Sequence, residues 1–193
     1  GFDICFRTWQ PIPTNLLLSV LPEHEPQLRT LQRIVTEPEI QLHHFRDGFG
    51  NHATRCVLPP GDTWVRSDFV IEVPDTADPV VPDAVQHPVS ELPDDVLVYL
   101  LGSRYCEVGR LTQEAWGATS HLSSGWDKVQ ALVAMAHDRV EFGYHHARNT
   151  RSGHDAWHEQ VGVCRDFAHL AVTLCREINI PARYCTGYLG DIG

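Results

Sequence analysis

No C-x-x-C pair and no dense cysteine framework occurs in this sequence; its six cysteines, Cys5, Cys56, Cys106, Cys164, Cys175 and Cys185, are scattered. That excludes a small disulfide scaffold, and most of these thiols read as buried or incidental groups in a reducing compartment. Long apolar runs are missing too. The longest, Val96 to Leu101, is far too short to span a bilayer, and no signal peptide is legible. Excess positive charge is absent: 15 Lys and Arg against 25 Asp and Glu give a net charge of −10. Nucleic acid and anionic membrane, which need clustered cations, are therefore not expected as partners. There is no block of like charge, internal repeat, low-complexity tract or H-E-x-x-H motif. The chain opens on Gly1 rather than Met, as a processed or engineered chain would, and a cytoplasmic location is the default expectation.

What is present divides by texture. Phe2, Ile4 and Phe6 alternate with polar residues, the period of a half-buried strand. Leu16–Leu21, Leu31–Val35, Ile40–Phe45, His52–Leu58 and Trp64–Val73 read as further extended pieces, with a tight turn at Asp47-Gly48-Phe49-Gly50-Asn51. Strands at this spacing predict an antiparallel β-sandwich over residues 1–74. Pro74, Pro79, Pro82, Pro88 and Pro93 then mark a linker over 75–92. From residue 93 the pattern turns helical: a helix from Asp94 ending near Gly102, a short one over Gln113–His121, and a third capped by Ser123 or Ser124. Trp126, Val129, Val133, Ala136 and Val140 form the apolar stripe of the third. The expected class is α+β.

Most of the chemistry is concentrated in Gly162-Val163-Cys164-Arg165-Asp166-Phe167-Ala168-His169. A glycine turn delivers a cysteine to the start of an amphipathic helix, which Asn179 and Pro181 stop and a short strand follows. Unpaired N–H groups and the positive end of a helix dipole favour a thiolate, the form that acts as nucleophile. The stripe Cys164, Phe167, Ala168, Ala171, Leu174, Cys175 and Ile178 puts Cys164 on the buried face, lining a cleft. From spacing alone a cysteine on such a stripe is also an ordinary core residue, and Cys175, mid-helix, takes that reading. The Cys164 N–H is a candidate oxyanion donor, and Gly162 would let a substrate backbone approach.

The segment resembles the transglutaminase-like superfamily, in particular bacterial transglutaminase-like enzymes described as cysteine proteases. The likeness runs through Gly162–Leu170, Ile180-Pro181-Ala182-Arg183-Tyr184 and Gly187-Tyr188, with weaker similarity at Ser103-Arg104-Tyr105, the Trp126 helix and the β-rich first half. It implies a papain-like core over residues 93–193 and a Cys-His-Asp triad. Cys164 would be the nucleophile, attacking peptide or glutamine amides to give a thioester that water or an amine resolves. No cofactor is expected, and a peptide or protein is the expected substrate. In the family the histidine and aspartate lie on strands after Gly-Tyr, and only Leu189 to Gly193 follow Tyr188. The core is therefore expected to be incomplete, the 193-residue chain inactive or nearly so, and dimerisation through an exposed sheet edge favoured.

Other residues weigh less. His169 should point away from Cys164, His145 and His146 should sit in a loop, and Tyr144, Trp157 and Gln160 fit packing or loop roles. Arg165 and Asp166 read as structural residues of the first turn. Two rival readings remain open at the level of sequence. His154 and His158, four apart, could join Cys164 in a zinc set. Alternatively the chain is a non-catalytic binding or scaffold module.

Overall fold

A computed structural model describes residues 1–73, 76–77 and 79–188. Pro74, Asp75 and Asp78, where the expected linker begins, lie outside the described residues, as do residues 189–193. The chain divides into two compact units, Gly1–Asp78 and Pro79–Gly193. No helix among the described residues is long and apolar enough to cross a membrane.

Among its described residues the first unit holds two antiparallel three-stranded sheets. One has the order β1 (Phe2–Thr8), β6 (Gly61–Ser67), β3 (Val35–Glu37), and the other β2 (Ile12–Leu16), β5 (His52–Leu58), β4 (His43–Arg46). Alternation sends Phe2 and Phe6 of one sheet, and Leu16, Cys56 and Leu58 of the other, into a shared core around Val65. This is the expected sandwich. The chain changes sheet between β5 and β6 at Pro59-Pro60-Gly61, where Gly61 has φ 102°. The Asp47 turn forms as read, with its carboxylate accepting the N–H groups of Phe49 (2.8 Å) and Asn51 (2.9 Å). Leu31–Ile34 is not a strand. Gln32 instead spends its side chain on the loop before it, accepting from Val20 N (2.8 Å) and donating to Leu18 O (3.1 Å).

Among its described residues the second unit is built on four helices: α1 (Thr112–Thr119), α2 (Gly125–Arg139), α3 (Gly153–Glu159) and α4 (Cys164–Glu177). Leu111, Ala115, Leu132, Ala136, Ala156, Leu170, Leu174, Cys175 and Ile178 close its core. Ser124 caps α2 by accepting Asp127 N–H at 3.4 Å. The buried edge of α2 runs through Leu132, Ala136 and Val140, leaving Val133 46% exposed, so the expected stripe is off by one position there. The helix expected from Asp94 is a 3-10 segment, Asp94–Leu100, with no buried residue; without an apolar face to pack, α-helical hydrogen bonding is not rewarded.

One carboxylate holds α1 to α4. Leu111, at the α1 N-cap, has no capping side chain. Glu177 supplies the missing acceptor from the far end of α4: its Oε1 takes the N–H groups of Gly109, Arg110 and Leu111, each at 2.9 Å, and its Oε2 takes the Thr112 hydroxyl at 2.7 Å. Burial raises the carboxyl's proton affinity, but these donors outweigh it and hold the group below the usual glutamate range.

Candidate active site

α3 and α4 are joined by a short strand, and that strand delivers Cys164. Ser152 caps α3 with Asp155 in a reciprocal box: Asp155 N–H donates to the serine hydroxyl (3.2 Å) and Ser152 N–H to the carboxylate (3.1 Å). α3 ends on Gln160 in the left-handed region, φ 58°. The chain then enters β8 (Val161–Gly162), parallel to β7 (Glu141–Phe142). Gly143 N–H donates to Gly162 O at 3.0 Å, and two residues later α4 begins at Cys164.

The first turn of α4 is fixed by a buried ion pair. Asp166, 0% exposed, accepts Val163 N–H (2.9 Å) and Arg151 Nη1 (3.0 Å) on one carboxylate oxygen. Arg151, itself buried, also donates to His146 O (2.7 Å) and to Glu159 (2.9 Å). Burial would lower the guanidinium's proton affinity, but Glu159 and Asp166 more than compensate and raise it. Gly162 is required at its position. A Cβ there would lie 2.7 Å from the Asp166 Cβ, so the glycine makes room for the capping carboxylate rather than for a substrate.

Cys164 is exposed, against the expectation of a buried face, while Phe167 and Ala168 are half-buried. The second half of α4 is buried almost all round, from His169 and Leu170 to Ile178, because α1, α2 and α3 all pack on it. Among the described residues no acceptor takes the backbone N–H of Cys164 or Arg165, so two donors stand open at the helix start beside the thiol. Cys106 and Cys175 are core thiols; burial raises both, the Cys175 thiol to about 11. Phe142 packs edge-on to Tyr144 at 5.1 Å and tilted on Phe167, in the first turn of α4, at 6.4 Å.

His169 is buried between two tyrosines. Its ring stacks on Tyr105 at 5.2 Å and tilts on Tyr184 at 4.8 Å, and its Nδ1 has no hydrogen-bond partner among the described residues. Burial, with Arg165 adding and Asp166 opposing, holds the imidazole below its usual proton affinity. The Tyr184 hydroxyl is raised above its usual proton affinity, mainly by burial and then by the charge of Cys164. His145 and His146 form a 3-10 turn with Tyr144, and Trp157 lies under the Arg139 guanidinium at 4.5 Å. No histidine among the described residues hydrogen-bonds to Cys164. His154 and His158 share a face of α3, and no three metal-ligating side chains converge among the described residues.

After α4, Asn179 turns the chain at φ 64° and Ile180 N–H returns to Cys175 O at 2.9 Å, a left-handed helix stop. The strand expected over Ile180–Tyr184 does not form. Its backbone is tied instead to α4 and the 3-10 segment: Ala182 O accepts from Arg176 (2.6 Å) and Ala182 N–H donates to Tyr99 O (3.2 Å).

Residues 110–192 match the model of the Transglutaminase-like superfamily. "Uncharacterized protein ML0607" of Mycobacterium leprae (strain TN) is 27% identical over 177 residues, which is 82% of this chain and 58% of that protein. The crystal structure of a "Putative Cysteine Protease" from Cytophaga hutchinsonii aligns with a TM-score of 0.72 at 24% identity, covering 93% of this chain and 62% of that one. The chain thus spans about three fifths of the length of each, at 58% and 62%. A cysteine at the head of α4 thus lies inside the segment, residues 110–192, that matches the Transglutaminase-like superfamily, within an α+β architecture shared with that crystal structure.

Proposed function

We propose that this chain carries the nucleophile of a thiol-dependent acyl-transfer enzyme, with Cys164 attacking the carbonyl of a peptide bond or a glutamine side-chain amide. The supporting observation is the exposed thiol at the first residue of α4, beside the two unpaired N–H groups of Cys164 and Arg165. Sulfur adds to the carbonyl carbon, and the oxyanion is met by those donors. The C–N bond then breaks, and the amine leaves with a proton. The thioester that remains is resolved by water, giving an acid, or by a second amine, giving a new amide; either restores the thiol.

Expelling an amine requires a general acid. None hydrogen-bonds to the thiol among the described residues, so the 193-residue chain is expected to turn over amides slowly or not at all. A test must therefore bypass that step. Incubation with an activated aryl ester, whose leaving group needs no protonation, should add one acyl group per chain, seen by intact mass and mapped to Cys164. Cys164→Ala should abolish the adduct. Acylation spread over other cysteines, or none at all, would leave the scaffold reading standing.

A further inference from the structure

α3 carries a second arrangement of ring nitrogens that the acyl chemistry does not use. His154 and His158 face each other with Nε2···Nε2 at 3.1 Å and ring centroids 4.4 Å apart. Two metal–nitrogen bonds of about 2.05 Å hold their nitrogens about 3.3 Å apart at a tetrahedral angle and about 2.9 Å at a right angle. The observed separation falls between those values. We propose that His154 and His158 form a two-point chelate for a late divalent transition metal such as nickel, copper or zinc.

The remaining features of the pair agree with that use. Neither Nε2 has another protein partner among the described residues, and His158 is exposed to solvent. The backbone beneath them is held in place, so little ordering is required when an ion binds. Gly153 N–H donates to Tyr105 O at 2.7 Å, the Ser152–Asp155 box closes the first turn, and Arg151 grips Glu159 at 2.9 Å. No third ligating side chain joins the pair among the described residues, so the ion keeps solvent on its other positions. Such a site takes borderline ions that imidazole suits and discriminates against magnesium and calcium. A single N–H···N hydrogen bond would give the same separation, but between two imidazoles within reach of water it contributes little.

Nickel(II) titrated by calorimetry into the 193-residue chain carrying Cys5→Ala, Cys164→Ala and Cys185→Ala, which removes the exposed thiols as rival ligands, tests the assignment. The expected result is a saturable site that weakens as pH is lowered and protons compete for the imidazoles. His154→Ala and His158→Ala should each weaken it about tenfold or more, because one remaining ligand forfeits the chelate. His87→Ala, His121→Ala and His145→Ala should leave it unchanged. Absence of saturable binding, or unchanged affinity in His158→Ala, would overturn the proposal; should His154→Ala fail to fold, the solvent-facing His158→Gln decides it.

Discussion

At the scale of single residues, the candidate site depends on side chains that hold α4 in place rather than react. Asp166 is buried with its charge met by Arg151, by one backbone N–H and, at 3.4 Å, by Arg165. Removing one member of a buried pair strands the other, at a cost of about 3–5 kcal/mol. Asp166→Ala is therefore expected to lower the chemical-denaturation stability by that order and to release the first turn of α4. Arg151→Met with Asp166→Leu should be milder than either single change, because neither charge is then left alone. A double-mutant cycle measured in urea checks both. Glu177→Gln loses a charge-assisted acceptor for three N–H groups and a hydroxyl. About 2–3 kcal/mol of destabilisation is expected, measured the same way. Neither Arg151 nor Glu177 stood out in the sequence. Their partners lie up to 15 and 68 residues away, and no local spacing announces a contact of that range.

At the scale of elements, local rules served where one face decides the outcome. β1 forms where alternation put it, β5 coincides with the extended piece read at His52–Leu58, and α2 starts at the serine cap. Cys164 heads α4 as its glycine turn suggested, since backbone geometry there is local. Burial was the harder property to read. Cys164 lies on the apolar stripe by spacing, yet it is exposed because the packing helices cover only the later turns of α4. α3 was missed as an element, although Ser152-x-x-Asp155 is a legible capping signal. The strand expected after α4 required a ladder partner that the described residues do not supply. Ser152→Ala tests the α3 cap: it removes the acceptor for Asp155 N–H and a hydroxyl donor to Glu107 at 2.5 Å. A loss of about 1–2 kcal/mol is expected in thermal or chemical unfolding.

At the scale of the whole molecule, acid should weaken the Pro79–Gly193 unit in two stages. His169 is favoured neutral in the fold, so its stabilising contribution is complete above its ordinary value of 6.5 and is lost as pH falls toward its lower folded value. Glu107, Asp155 and Glu177 are favoured charged despite their burial. Their contributions are complete above the ordinary values of 3.8 to 4.5 and are lost as pH falls through the depressed folded ones. Unfolding temperature recorded against pH should therefore decline from about pH 6.5 and again below about pH 4.5. His169→Phe, which keeps a ring between Tyr105 and Tyr184, should remove the first decline and leave the second. The central claim remains the reactivity of one thiol, and the protein contains its own controls in Cys5 and Cys185, which are also exposed. Site-resolved mass spectrometry of limited alkylation near neutral pH compares the three directly. The account predicts that Cys164 reacts about tenfold or more faster than either; equal rates at all three would contradict it.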